Sequence, residues 1–473
     1  MKQNFSKMDR TTVQIDLSKR QGPFEGWRHS LGHGAVNSEP LPDSVVRGIG
    51  RLKPRLVRVF LQEYFTVYPE HGVFDWSRLD PYMDAIASTG AKVLATINIK
   101  PPVLFPKIDQ TIWKPNNVEE WQEVIFQLVR RYSVEKPIVT HWEHANEPDI
   151  GETGGCPYLM STAQDNYAFY LDMVEPVLKA FPEARVGGPA LSNYKNPIFK
   201  EFVELCHKNR TPLDFVSWHC YHDSTEFMKE QVEAVRQIVQ IYGQEKQPEL
   251  MLNEMNKGFD YSGAGFPSYD LISVEEQALQ SRRAAFLTAA ILDLADAGIG
   301  WSHYFLIWDC CMHPGEFLSF FSGEGIRNVM YRHWNECPTR FGLFSQSGAV
   351  RPQYFVYRML GGMEGEKVSA ACEDGDVKAQ AVCEGGRLSV IATNYSTGES
   401  RELVATFHFT NLKPGVRKLN VYRLDNDRRW DPEKLDLIPV DTRLVDVLPE
   451  FSYQVYCPAD SVVMMTLEEK GKA

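Results

Sequence analysis

Along the first three-quarters of the chain two patterns of apolar and polar positions alternate. Short, nearly continuous apolar runs begin at Phe24 (FEGWRHSLGHG), Leu56 (LVRVF), Lys92 (KVLATINI), Val139 (VTHWEHA), Ala184 (ARVGGPA), Phe215 (FVSWHCY), Glu249 (ELMLNE) and Gly298 (GIGWSHYFLIW). Runs of this kind suit parallel strands covered on the outside by helices. Between them lie stretches with one apolar face at helical spacing. Trp121, Val124, Ile125, Leu128 and Val129 mark 118–132, and Tyr167, Tyr170, Leu171, Val174 and Leu178 mark 164–180. Val235, Ile238 and Ile241 mark 226–242, and the Ala/Leu-rich 274–297 is the longest of the set. The alternation predicts an α/β fold, a (β/α)8 TIM barrel over residues 23–360. A doubly wound open sheet is the alternative. No G-x-G-x-x-G follows any of these strands and no G-x-x-x-x-G-K-[ST] occurs, so the usual nucleotide fingerprints are absent.

After Leu360 the pattern shortens. KVSAACEDGDVKAQAVCEGGRLSVIATNYS is broken by Asp374-Gly375 and Gly385-Gly386, dipeptides that suit tight hairpins. ELVATFHF, VRKLNVYRL and SVVMMTLEE continue in the same style. This predicts an accessory C-terminal β-sandwich over 361–473. Val13, Ile15 and Leu17 alternate with polar residues and mark one more strand, at 10–20, that joins it.

Composition narrows the function classes. A chain of 473 residues exceeds one ordinary domain. The formal net charge of -12 argues against a nucleic-acid or anionic-membrane partner, both of which need basic surfaces. The N-terminus has no apolar run of signal-peptide length, and no stretch approaches the roughly 20 apolar residues that span a bilayer. The nine cysteines are odd in number, irregularly spaced and without a C-x-x-C pair, which fits a reducing compartment and a cytoplasmic location. Cys310-Cys311 reads as a pair of packing residues rather than metal ligands.

The candidate chemistry is a pair of carboxylates. Cleaving a glycosidic bond takes one carboxyl group to protonate the leaving oxygen and another to attack the anomeric carbon or activate water. In a TIM barrel such groups belong at the C-terminal strand ends. Glu147 ends the fourth strand in HWEHANEPD, and Glu254 ends the seventh in ELMLNEMN. Strands four and seven face each other across the ring, so both carboxylates can converge on one sugar. Asn146 supplies an amide for a hydroxyl beside the reacting carbon. Pro148 keeps Glu147 out of the helical region.

The chain resembles glycoside hydrolase family 39, the β-xylosidase and α-L-iduronidase family of the clan A barrels. The resemblance runs along WRHSLGHG, LVRVF, WEHANEPD, VGGPALSN, LDFVSWHCYH, LMLNEMN and RFGLFSQSGAVRPQYFVYRML, in that order. It implies a retaining double displacement with Glu147 as acid/base, Glu254 as nucleophile and Asn146 beside them. Arg58, at the end of strand two, resembles the arginine that holds the nucleophile ionised; an ion pair with Glu143 is its plainer reading. His219 and Tyr221 resemble the strand-six H-x-Y of the xylosidase branch, Tyr221 toward Glu254 and His219 toward the sugar. Tyr304 and Trp308 at strand eight and His33 at strand one are candidates to line the sugar pocket. The chain departs from the family pattern at Ala145, Phe60, His303-Tyr304 and the loop Asp309-Cys310-Cys311-Met312-His313, all where a glycone would bind. The basic residues that hold a uronate are not matched after His219, although Lys257 lies close to Glu254 in sequence. The expected function is removal of a terminal β-xyloside or α-L-arabinoside type sugar, with carbohydrate as partner and neither metal nor organic cofactor. A transglycosidase and a non-hydrolytic carbohydrate-binding protein are the alternatives.

Overall fold

The computed structural model describes residues 8–34, 37–244, 246–258, 281–309, 312–327, 341–427, 430–431 and 433–469. Strand β1 (Asp9–Pro23) precedes eight parallel strands: β2 (His29–His33), β3 (Leu56–Gln62), β4 (Lys92–Asn98), β5 (Val139–His144), β6 (Arg185–Leu191), β7 (Phe215–Tyr221), β8 (Glu249–Asn256) and β9 (Trp301–Phe305). They close in chain order, β9 pairing back onto β2. This is the TIM barrel expected from the apolar runs. The first and last strands are shorter than those runs. Gly26–Arg28 forms a 3-10 turn, and the Trp27 ring carries the guanidinium groups of Arg28 and Arg55 at 4.5 and 4.4 Å.

The helices form where the sequence caps them. Asn117, Thr162 and Ser224 accept hydrogen bonds from the backbone N–H of Glu120, Asp165 and Phe227, starting helices Val118–Val129, Ala163–Ala180 and Thr225–Val239. Four further helices, Asp43–Gly50, Leu79–Ala87, Pro197–Asn209 and Pro352–Leu360, also belong to the layer around the barrel. Of the stretch 274–297, residues 274–280 lie outside the described residues; the helix observed is Arg282–Asp296. From Ala284 to Leu294 every residue of it is buried, because it is wedged between the barrel and a second sheet. Thr393 donates to the Ala285 carbonyl at 3.0 Å, Tyr395 packs edge-on to Phe286, and Arg282 pairs with Asp460 at 2.8 Å.

That second sheet continues with β10 (Glu366–Cys372), β11 (Val377–Glu384), β12 (Arg387–Asn394), β13 (Leu403–Thr410), β14 (Gly415–Leu424), β17 (Asp441–Val447), β18 (Glu450–Cys457) and β19 (Ser461–Glu469); β15 (Trp430–Asp431) and β16 (Asp436–Leu437) form a separate small ribbon. Its order is β17-β14-β19-β12-β11-β10-β1-β13-β18. β1 lies inside it, antiparallel to β10 and parallel to β13. Val13, Ile15, Leu388, Phe407, Leu419 and Val463 share one apolar core, so the two halves of this single sheet pack on each other.

Strand parity decides what enters the barrel. Val57, Val59 and Leu61 of β3 pack among the helices, whereas Leu56, Arg58 and Phe60 point inward. The interior is layered. Leu56, Leu94, Phe215, Met251 and Trp301 close its lower end. Above them lies a polar layer built on Arg58 and Glu143. The functional site stands on that layer.

Candidate active site

Arg58 is the centre of the polar layer. It donates through Nε to Glu143 Oε2 at 2.9 Å, through Nη1 to Glu254 Oε2 at 3.0 Å and through Nη2 to Asn146 Oδ1 at 2.8 Å. One guanidinium thereby fixes the ends of β5 and β8. Its rigid fork suits this task where a flexible ammonium would not. Glu143 is in turn held by Thr96 Oγ1 at 2.7 Å, by Ser217 Oγ at 2.6 Å and by the Asn253 amide. A buried charge pair is tolerable only when its remaining lone pairs are engaged in this way. The ion pair with Glu143 and the contact with Glu254 are thus both present in one network.

Glu254 also accepts from the Tyr221 hydroxyl at 2.5 Å. Burial raises its pKa, while His219, the Arg58 guanidinium and the Tyr221 hydroxyl pull it down and Glu147 pushes it up. Glu147 lacks so close a cation. Burial, reinforced by Asp149, raises its pKa to about 8. Its Oε1 lies 2.7 Å from His219 Nδ1, and burial lowers the His219 pKa to about 4. A neutral imidazole beside a protonated carboxyl group is the state both directions favour near neutrality.

Local backbone geometry delivers Glu147. Ala145 and Glu147 adopt positive φ, 38° and 44°, a costly conformation that clusters at functional sites. Ala190 accepts the Glu147 N–H at 2.9 Å, and Asn98 accepts that of Asn146 at 3.0 Å. Gly154 is required on the other side: a Cβ there would lie 2.1 Å from Glu147 Oε2.

Three pocket candidates fall elsewhere. Tyr304 follows the inward His303 on β9 and so points outward; it is fully buried, edge-on to Tyr357, and its hydroxyl donates to the Phe341 carbonyl at 2.6 Å. His33 is on the same outward face of β2 as Leu31, its ring stacked with Tyr82 of helix Leu79–Ala87. Trp308 tilts against His33 at 6.4 Å and its indole N–H donates to the Gln346 carbonyl. All three were placed in the pocket by nearness to a strand end. Parity sends Tyr304 and His33 into the helix layer instead, and Trp308, beyond the end of β9, packs against His33. The inward residues at those levels are Gly32 and Phe305, which face each other.

The two carboxylates, together with the His219 ring, offer donor atoms within 4.8 Å of one another at the C-terminal end of the barrel. The Glycosyl hydrolases family 39 model matches residues 25–397, from the start of the barrel into the second sheet. The chain belongs to this family. A β-xylosidase from Caldicellulosiruptor saccharolyticus is 22% identical over 318 residues, which cover 64% of this chain and 59% of that protein. The chain thus spans under two thirds of that relative's length. A glucosidase from Croceicoccus marinus superposes with a TM-score of 0.72 at 17% identity, over 98% of this chain and 100% of that one. A monomeric β-xylosidase from Caulobacter crescentus CB15 does so with a TM-score of 0.69 at 18% identity, over 97% and 99%.

In this family-39 chain several residues beyond the motifs complete the site. Thr96, Ser217 and Asn253, which hold Glu143, escaped the sequence analysis; their signal was a polar residue at an inward position of an otherwise apolar strand. Asp309 forms a buried ion pair with Arg351 at 2.5 Å and accepts from the Gly342 N–H, tying the strand-eight loop to helix Pro352–Leu360. Cys310 and Cys311 lie outside the described residues. Lys257 pairs with Asp223 at 2.8 Å. Glu147, His219 and Glu254 also meet the minimum spacing for a metal site. His219 Nδ1 lies against Glu147 Oε1, and Glu254 accepts from the Tyr221 hydroxyl and from Arg58. Among the described residues no helix is long and apolar enough to cross a membrane.

Proposed function

We propose that the protein is a retaining glycosidase that removes a terminal sugar of the β-xyloside or α-L-arabinoside type, with Glu254 as nucleophile and Glu147 as acid/base. Residues 23–360 form the catalytic unit, and 361–473 with β1 form the unit that braces it. The observation that carries the reading is the approach of the two carboxylates, one oxygen of each lying within 4.8 Å of the other. Retaining enzymes hold their carboxyl groups about 5–5.5 Å apart, and inverting ones need about 6.5–9.5 Å to admit a water.

Each step follows from the contacts. Arg58 and Tyr221 favour the ionised form of Glu254 against the effect of its burial and aim it, and in that form it attacks the anomeric carbon. Glu147, kept protonated by burial, gives its proton to the leaving oxygen as the glycosidic bond breaks. The covalent glycosyl-enzyme leaves Glu147 ionised, and it then removes a proton from the water that releases the sugar. Lys257 has its charge committed to Asp223, which supports a neutral glycone over a uronate.

The test is release of nitrophenol from a panel of β-xyloside, α-L-arabinosides, β-glucoside, β-galactoside and α-L-iduronide. Glu254→Ala should lower kcat at least about 10³-fold, the scale of losing a covalent nucleophile, and azide should restore turnover. Wild-type activity that survives in Glu254→Ala would refute the assignment.

A further inference from the structure

The mouth of the barrel is chemically two-sided. On the side of β4, β5 and β7, polar atoms wait without partners. Asn98 Nδ2 and His219 Nε2 are buried with no hydrogen bond, although Asn98 touches the Asn146 N–H and His219 touches Glu147. A bare buried donor or acceptor is costly, and a sugar hydroxyl would satisfy each.

The side of β9, β2 and β3 is the opposite. Phe60, Phe305, Leu306 and Phe341 form one apolar cluster with Tyr221 packed against it. Phe60 lies under the Arg58 guanidinium at 4.5 Å and stacks on Phe305 at 6.1 Å; Tyr221 stacks on Phe341 at 5.9 Å. The two groups that hold Glu254 therefore each rest on one end of the same aromatic wall. β2 adds no side chain to it. A Cβ on Gly32 would meet Phe305 at 3.7 Å, and one on Gly34, at φ +134°, would press on Phe60 at 3.0 Å. Arg58 and Tyr221 at this wall already donate to Glu254, the Asn256 amide donates to the Phe305 carbonyl at 2.6 Å, and the Arg283 guanidinium lies over the Phe341 ring at 5.2 Å.

From this asymmetry, and resting on the assignment of this site as a glycosidase centre, we infer that the aromatic wall selects the substituent at C5 of the sugar. It accepts hydrogen or methyl and disfavours hydroxymethyl, so 6-deoxyhexosides are a further substrate class. The ring hydroxyls turn toward Asn98, Asn146 and His219. The carbon edge of the ring lies on Phe60 and Phe305, where a methyl is buried without loss and a hydroxyl is stripped of water without gaining a partner. An apolar pocket rejects an added hydroxyl only moderately, by up to about 10²-fold, and that sets the scale.

Two matched series test this: α-L-arabinopyranoside, β-D-fucoside and β-D-galactoside, and β-xyloside, β-6-deoxyglucoside and β-glucoside. Within each series only the C5 substituent changes, from hydrogen to methyl to hydroxymethyl. In the better series, kcat/KM for the methyl member should match or exceed the hydrogen member and exceed the hydroxymethyl member by ~10- to 100-fold. In Phe60→His, and separately in Phe305→Tyr, that ratio should shrink several-fold. Dissociation constants of the matching iminosugars should show the same order. Iminosugars that keep this order while no glycoside turns over would sink the glycosidase assignment and leave the wall's selectivity standing. A hydroxymethyl member that equals or beats its methyl partner, a ratio unmoved in both variants, or iminosugars that bind without this order or not at all would overturn the inference.

Discussion

The barrel interior and the core of the second sheet are built on opposite terms. The sheet's core cluster is apolar, from Val13 and Ile15 to Phe407 and Leu467; Arg401 pairs with Asp9, Asp374 and Asp376 at the rim, and among the described residues Arg417 and Asp425 are the charges this part of the chain buries. The barrel buries Arg58, Glu143, Glu147, Glu254 and His219 within one set of contacts. Apolar burial in the sheet converts directly into stability. In the barrel, desolvation is offset by pairing and little is gained in net. The difference teaches that the sheet and the helix layer stabilise the fold, while the barrel centre spends stability to hold two carboxylates in unlike states.

Four measurements would break or sharpen this comparison. The largest effect is expected from Arg58→Met, which strands Glu143 and Glu254 without a cation. Losing one partner of a buried pair costs about 3–5 kcal/mol, read in urea denaturation, and turnover should fall with it. If Arg58→Met left stability unchanged, the network would not be the costly element described here. Phe407→Ala in the sheet should cost a similar amount, about 3 kcal/mol or more, yet leave kcat/KM within twofold for the protein that stays folded. Coupled losses of activity would show that the sheet does more than brace.

The third measurement is pH. Burial raises the pKa of Glu147 from 4.5 to about 8, and that of Glu63 likewise. A raised pKa means the folded state holds the proton more tightly than the unfolded chain. That stability is fully present below pH 4.5 and is lost as pH rises through 8. Unfolding free energy should therefore decline across this window, and Glu147→Gln should remove part of the decline and leave that of Glu63. The kcat/KM of the wild type should fall above pH 8 as Glu147 loses its proton; a flat profile to pH 9 would contradict the acid role. The smallest effect belongs to Arg401→Ala at the sheet rim, where an exposed pair is worth at most about 1 kcal/mol.

Much of this architecture was legible in the chain, for stated reasons. The eight strands showed because each is covered by helices and must be apolar on its outer face. Glu147 and Glu254 showed because they end strands and sit in recognisable neighbourhoods. What stayed hidden depended on parity. Tyr304 and His33 were read as pocket residues because they lie near strand ends, but one step along a strand turns a side chain from the pore to the helices. The same rule concealed Thr96, Ser217 and Asn253, whose inward aim is fixed only once the register of the barrel is known. Gly154 was invisible because its role is an absence of volume beside Glu147, set by how the loop after β5 folds back through the turn Gly151–Gly154.

The pairing of β1 sets an order on biosynthesis. Val13 hydrogen-bonds alongside Cys372 and Phe407. At a ribosomal pace of about 5–20 residues per second, β1 waits roughly 20–70 s for its first partner strand to emerge. Through that interval the nascent chain carries a long, unpaired strand with Val13, Ile15 and Leu17 uncovered, directly ahead of its first barrel strand. The barrel can close while its leading segment still hangs free, and release of a chain cut short before β10 would leave that segment as a sticky edge with nothing of its own to seal it.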